Sequence, residues 1–394
     1  MNSKKAILGS AIVLYFIIGL EILIMISPFA GFFYSVFNPF LLEIAKYPAT
    51  RWLSAFFLPH MVVPPDIFLK FVRVMGSVLF VAGMAAFFVC AGQVYWNKFL
   101  KKGTVVGGIY SYIRHPQYLS LAIAGVGLSI LWPRLLSVVC WLAMVLIYYF
   151  LSRDEEKRML RSYEADYRQY MERTGMFFPK SIEKRIMPQS AGGKAAVFVL
   201  ISVLALGSAF SLRSYTISNL PIWSGKDVVA MSILDDDKFK MEHRMPEILQ
   251  LDEVRTRLNQ NDRYLVYFLP PHYIMQGLIA DTGGDWKLYK QHHTMSMITD
   301  WIIHPFSHLS EAHSGTMHNG VQHDAHSGDA AVMKRLIFLK IDNADSGKLG
   351  DVFGINVNRI PQFMIDIDIH TLKISELKEL PHDTGWGTVP TPVF

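Results

Sequence analysis

The sequence predicts an α-helical multi-pass membrane domain of about five transmembrane helices, followed by a small soluble α+β domain. Three observations support this. The 394-residue chain is 51% hydrophobic and 18% charged, with a mean hydropathy of +0.26, more apolar than a soluble domain and less so than a chain lying wholly in a bilayer. The charge is split by sign: residues 1–212 hold 21 Lys+Arg against 10 Asp+Glu, and the remainder holds 17 against 23. Apolar runs near or above the length of a bilayer crossing are confined to the basic part, and the acidic part has only short ones. The expected domains are 1–190, a transmembrane segment 191–212, and 213–394.

In chain order, Ala6 to Ile26 is apolar except for Glu21 and is preceded by Lys4 and Lys5 without a small-residue cleavage site, so it reads as a retained span. Glu21 is costly in lipid and should face protein or the interface. Pro28 to Pro65 is aromatic-rich and broken by prolines, which suits an interfacial or re-entrant segment. Phe71 to Ala91 is the next span, and Lys98, Lys101 and Lys102 mark its far end as cytoplasmic.

Leu119 to Leu131 and Leu135 to Leu151 form a hairpin through Trp132-Pro133-Arg134. It returns the chain to the cytoplasmic face, where Ser152 to Lys194 carries ten Lys+Arg against seven Asp+Glu. Within this stretch Met159, Tyr163, Tyr167 and Tyr170 recur at helical spacing, predicting one helix with an aromatic edge, ended by Gly175 and Pro179. Ala195 to Leu212 crosses again and places the rest on the opposite, extracytoplasmic face, in an expected bacterial inner membrane. There Met245 to Leu258 reads as a helix, and Tyr264 to Leu269, Leu336 to Ile341 and Phe363 to Ile369 read as strands. Cys90 and Cys140 lie in apolar runs and read as core residues rather than a disulfide framework. The charge pattern does not point to nucleic acid.

Two polar blocks bracket the hairpin and read as halves of one pocket. The first, Lys101 to Tyr118 (KKGTVVGGIYSYIRHPQY), has turn-forming Gly103, Gly107 and Gly108, and sets Arg114 and the titratable His115 where the next helix begins at Pro116. The second, Arg153 to Tyr170, opens with Glu155 and Glu156.

Gly108, Tyr110, Arg114-His115-Pro116-x-Tyr118, the apolar hairpin, Glu155-Glu156 and Tyr167-x-x-Tyr170 together resemble the isoprenylcysteine carboxyl methyltransferase and phospholipid methyltransferase group over roughly Val94 to Pro179. The resemblance implies S-adenosylmethionine as cofactor, buried between loop and helix. Lys102, Gly103, Thr104 and Val105 would form the loop wall, and Tyr110, His115, Pro116, Gln117 and Tyr118 would line the pocket. Glu155 would pair with the cofactor's ammonium, with Glu156 beside it. Candidates for catalysis are Arg114, His115 and Arg153. This chain departs from the pattern at Lys102, where relatives often carry histidine, at Ser120, where glycine is common, and at Leu151, where prenylcysteine enzymes carry an arginine for the acceptor carboxylate. These departures bear on a prenylcysteine acceptor more than on the cofactor site.

Eight of the fourteen histidines fall between His292 and His326. His304, His308, His313, His318, His323 and His326 sit in a Ser/Gly/Asn/Asp/Ala-rich stretch that reads either as a divalent-metal site or as a solvated, pH-responsive loop. Asp366, Asp368 and His370 share one face of a strand, and read as solvated edge-strand groups in preference to chelators. The functional expectation is an integral membrane methyltransferase acting on a hydrophobic small-molecule or lipidated acceptor, carrying a carboxylate, amine or thiol, delivered by the bilayer. Its rivals are a non-catalytic membrane protein whose soluble tail binds a partner or metal, and a small-molecule thiol or amine methyltransferase on the same scaffold.

Overall fold

The computed structural model describes residues 16, 19–32, 47–58, 66–100, 106–232, 234, 236–269, 332–342, 352–355 and 357–380. Among them, three helices are long and apolar enough to cross a membrane: α2 (Ile67–Phe99), α4 (Leu135–Ser162) and α7 (Ala191–Ser218). Two further apolar helices, α1 (Gly19–Phe32) and α3 (Pro116–Leu131), are shorter. The fold is thus a helical region with three candidate spans among the described residues, plus a C-terminal sheet domain. The His-rich stretch, including His304 to His326, and Lys102 to Val105 lie outside the described residues.

The chain divides into two compact units, one of residues 1–38, 82–126 and 137–203 and the other of residues 39–81, 127–136 and 204–394. In the first unit, Glu21 forms an ion pair with Lys98, which answers how a carboxylate is kept in an apolar helix. The α3–α4 hairpin is fastened by Trp141, whose indole Nε1 donates to the Ala122 carbonyl at 2.9 Å, and by Tyr118 stacked on Tyr148 at 4.7 Å. At 28 residues α4 is about 42 Å long, well beyond the roughly 30 Å of hydrocarbon, so its charged end extends past the apolar layer. The single helix expected after Arg153 is corrected here. Helix α4 runs on through Arg153, supported by Asp154–Arg158 at 3.1 Å, and stops at Ser162. Tyr163 (φ −140°, ψ 45°) breaks the path, and α5 (Glu164–Arg173) begins anew with Glu164 and Asp166 in its first turn. A last short helix, α6 (Lys180–Ile186), follows Pro179.

In the second unit, the buried segment 55–58 pins the hairpin link: Phe57 N donates to Pro133 O at 2.8 Å and Leu135 N to Ala55 O at 3.0 Å. The Arg134 guanidinium donates to Ser54 O and lies 3.9 Å over the Phe56 ring. Arg213 of α7 donates to the carbonyls of Phe56 and Phe353.

The sheet follows chain order, β1 (Ile222–Ser224), β2 (Val228–Ser232), β3 (Arg263–Leu269), β4 (Met333–Asp342), β5 (Asn358–Asp368) and β6 (Ile374–Glu379). Only the β2–β3 pairing is parallel. Its connection carries α8 (Asp237–Ile248), as a crossover between parallel strands requires. Strands β2 to β4 are buried on both faces, which explains their continuous apolar runs. Val228, Ala230, Val266, Phe268 and Phe338 pack on Met241, Met245 and Ile248 of α8, while Val229, Met231, Leu265, Tyr267 and Leu339 pack on Val352, Phe353 and Val357.

Two expectations are corrected in this domain. The helix read at Met245 to Leu258 is α8 plus a single turn at Asp252–Arg255, because Leu251 turns extended (φ −60°, ψ 134°) between them. Asp366 and Asp368 do not lie on an edge strand, since β5 is flanked by β4 and β6. Asp366 is buried in a bidentate pair with Arg335 (2.8 and 2.6 Å), and Asp368 Oδ1 caps the following turn by accepting from His370 N and Thr371 N. Among the described residues no group of three or more His, Cys, Asp or Glu side chains could hold a metal ion.

Candidate active site

The site belongs entirely to the first unit and begins with a turn. Gly108 adopts φ +63°, which favours glycine, and a Cβ there would sit 2.8 Å from Gln93 Nε2, whose amide donates to Gly107 O at 2.9 Å. The turn leads into a 3₁₀ segment, Gly108–Ser111, that buries Tyr110. The Tyr110 hydroxyl donates to Cys90 O of α2 at 3.3 Å, and the Tyr110 carbonyl accepts from the Tyr170 hydroxyl of α5 at 2.6 Å.

Next, the chain pairs with the stretch after α5 as a short parallel ribbon. Arg114 N donates to Gly175 O at 2.9 Å and His115 N to Met176 O at 3.0 Å. Gly175 is required for the close approach, because a Cβ there would lie 1.8 Å from Phe178 O. Glu183 of α6 fixes the other side by accepting from the amides of Met176 and Phe177. Pro116 then opens α3, where its missing N–H costs nothing.

The ribbon delivers Arg114 and His115 against the charged end of α4. Arg114 Nε donates to Glu156 Oε1 at 2.6 Å, and its Nη1 donates to Thr174 O at 2.5 Å. The imidazole of His115 lies between the two carboxylates, with Nδ1 3.4 Å from Glu155 Oε2 and Nε2 3.5 Å from Glu156 Oε1. Nε2 is buried and within ion-pairing distance of Glu156, but no acceptor is aligned with it for a hydrogen bond. Burial acts to lower the His115 pKa, but the two carboxylates outweigh it and hold the imidazole above its ordinary value.

The Tyr118 hydroxyl donates to Glu155 Oε1, and its ring is stacked between His115 at 5.8 Å and Tyr148 at 4.7 Å. The two adjacent carboxylates therefore differ in kind. The Glu155 side chain is 37% exposed, whereas that of Glu156 is 8% exposed.

Of the residues singled out from sequence, the fold brings Arg114, His115, Tyr118, Glu155 and Glu156 into one cluster, with Tyr110 and Pro116 in its support. Arg153 is exposed one turn before Glu156 on α4, where its guanidinium reaches the Tyr149 hydroxyl at 3.5 Å. Gln117 is half-buried in the first turn of α3. Sequence reasoning missed Tyr148, Thr174 and Glu183. Tyr148 was findable, since it stands seven residues before Glu155 on the same helical face. Thr174 and Glu183 act through backbone contacts that no side-chain pattern announces.

Residues 67–166 match the family model described as phospholipid methyltransferase. That segment contains α2, the turn, the hairpin and both carboxylates. No curated protein and no solved structure matches the chain.

Proposed function

We propose that the chain is an integral membrane methyltransferase that uses S-adenosylmethionine and acts on a lipid-soluble or membrane-delivered acceptor. The observation that carries this reading is the convergence of His115 and Tyr118 on Glu155, a carboxylate fixed on one side and open on the other. A carboxylate so held suits the α-ammonium of the cofactor, and a charged imidazole beside it suits the cofactor's carboxylate. The misaligned Nε2 of His115 is a buried donor that such an anion would satisfy. The residues thus fit the cofactor, which when bound supplies an electrophilic methyl group on a sulfonium. Stacking of His115, Tyr118 and Tyr148 keeps water from one side of Glu155, and Arg114 with Glu156 holds the loop against α4.

The test is calorimetric titration of S-adenosylmethionine into the purified full chain. Binding should weaken about ten- to a hundredfold in Glu155→Gln, as expected for a charge-assisted contact of roughly 1.5–3 kcal/mol. A wild type that binds no cofactor would transfer support to the non-catalytic reading. The accompanying topology places the turn at Ser111 in the cytoplasm and the sheet domain outside a bacterial inner membrane. With Cys90 and Cys140 replaced by serine or alanine, Ser111→Cys and Thr371→Cys should react with an impermeant thiol reagent from opposite faces. Labelling from the same face defeats the topology alone.

A further inference from the structure

Helix α4 presents a second face, turned away from Glu155. Tyr148, Ser152 and Glu155 point toward α3, whereas Tyr149, Arg153, Glu156 and Leu160, spaced four, three and four residues apart, line a cleft of about 430 Å³ closed by α6 and the start of α7. We propose that this cleft binds the phosphate-bearing headgroup of an anionic membrane lipid.

The charge argument comes first. The cleft is walled by Arg153, Lys157, Lys180, Lys184 and Lys194 in addition to Arg114. Its two carboxylates are already committed, Glu156 to Arg114 and Glu183 to the amides of Met176 and Phe177. Lys180 donates to the Met171 carbonyl at 3.1 Å, but Arg153, Lys157, Lys184 and Lys194 enter no ion pair among the described residues. A concave surface with this excess of cations raises the local concentration of anions and suits a multiply charged phosphate.

The second argument selects the source. Leu160, Met171, Phe178 and Met187 share the walls with these cations. A soluble phosphate would leave that apolar surface unmatched, whereas a lipid offers anion and hydrocarbon together. The position agrees, since the part of α4 that extends beyond the apolar layer is the part that lines the cleft, at headgroup height. A glycerol phosphate headgroup carries no amine to methylate, so this inference is independent of methyl transfer.

The experiment uses the full chain in dodecyl maltoside, titrated with phosphatidylglycerol, phosphatidylcholine or inorganic phosphate and read by native mass spectrometry. Phosphatidylglycerol should be retained at least tenfold more strongly than phosphatidylcholine. In Lys157→Gln/Lys184→Gln/Lys194→Gln that preference should vanish, and in the charge-matched Arg161→Gln/Arg168→Gln/Arg173→Gln, whose exposed residues lie outside the cleft, it should persist. Equal retention of the two lipids by wild type, or equal loss in both variants, overturns the proposal. Displacement of the lipid by inorganic phosphate at comparable concentration overturns the lipid as the source. Helical circular dichroism establishes that each variant is folded.

Discussion

Arg114 and Glu156 are 42 residues apart in sequence and meet at 2.6 Å with both side chains almost wholly buried. They join the loop that begins α3 to the end of α4. Glu155, next to Glu156 on the same helix, meets Tyr118 and His115 across the same junction but is 37% exposed, with one side open. Two adjacent carboxylates thus differ in setting, one buried against Arg114 and the other partly open.

The first prediction follows from this difference. Replacing one partner of a buried pair strands the other, at a cost of about 3–5 kcal/mol, whereas removing both is far milder. Arg114→Leu and Glu156→Leu should each lower the unfolding midpoint in detergent sharply, and the double variant should recover most of the loss. Glu155→Gln, at a partly exposed position whose contacts are shared with solvent, should lower the midpoint much less. A midpoint loss in Glu155→Gln equal to that in Glu156→Leu would contradict the assignment of roles.

A pH dependence follows from His115. Its folded pKa stands above the ordinary imidazole value because Glu155 and Glu156 outweigh burial. The stabilisation it contributes is therefore fully present below about pH 6.5, the unfolded value, and is lost as pH rises through the folded value. The stability difference between wild type and His115→Gln should be largest in mildly acidic buffer and shrink toward alkaline pH. A difference that grows with pH would mean that burial, not the carboxylates, controls this group.

Gly175 supplies the third prediction. A methyl group there would lie 1.8 Å from Phe178 O, so Gly175→Ala must displace backbone and open the bridge to Ile113. Arg114 and His115 would lose their backbone anchors together. The expected outcome is weaker cofactor binding with the sheet domain intact, seen as faster amide exchange at residues 112–115 and 174–178 and unchanged exchange in β3 and β4. Unchanged exchange at both ribbon strands would show that the loop does not depend on this approach.

Much of this architecture was legible because apolar runs and charged blocks report directly on burial. The spans, the hairpin and the strands β3 to β5 each contain an apolar run, continuous in β3 and β4 and alternating at the end of β5, and the Arg114-His115 and Glu155-Glu156 blocks stand out against them. Less legible were features set by contact rather than by composition. Strand β6, Ile374–Glu379, has its two apolar residues, Ile374 and Leu377, three apart rather than alternating, and shows itself only by pairing with β5. The break at Tyr163 falls within a sequence whose helical spacing continues through it. The unequal exposure of Glu155 and Glu156 depends on where Arg114 arrives, which is set by the Gly175 ribbon. Asp366 reads as an exposed strand carboxylate until its cross-strand partner Arg335 is known.

The last prediction concerns a polar cluster inside the sheet domain. Asp237, at the start of α8, is fully buried and accepts from Lys334 of β4 at 2.8 Å, from the Ser232 hydroxyl at the end of β2 at 2.7 Å, and from Lys240 at 3.1 Å. Burial lowers the pKa of Lys334 against the opposing pull of Asp237, so its charge depends on that carboxylate. The cluster fixes the first turn of α8 on the sheet, where the apolar contacts of Met241 and Met245 allow sliding but a single buried carboxylate does not. Lys334→Met should cost about 3–5 kcal/mol because Ser232 and the partly exposed Lys240 cannot replace a buried ammonium. Lys334→Met combined with Asp237→Leu should regain most of that loss while weakening the register of α8. Chemical unfolding of the full chain, followed by the near-ultraviolet signal, separates these outcomes. If the single Lys334→Met variant is as stable as wild type, the cluster does not hold the helix, and packing of Met241, Met245 and Ile248 alone sets its position.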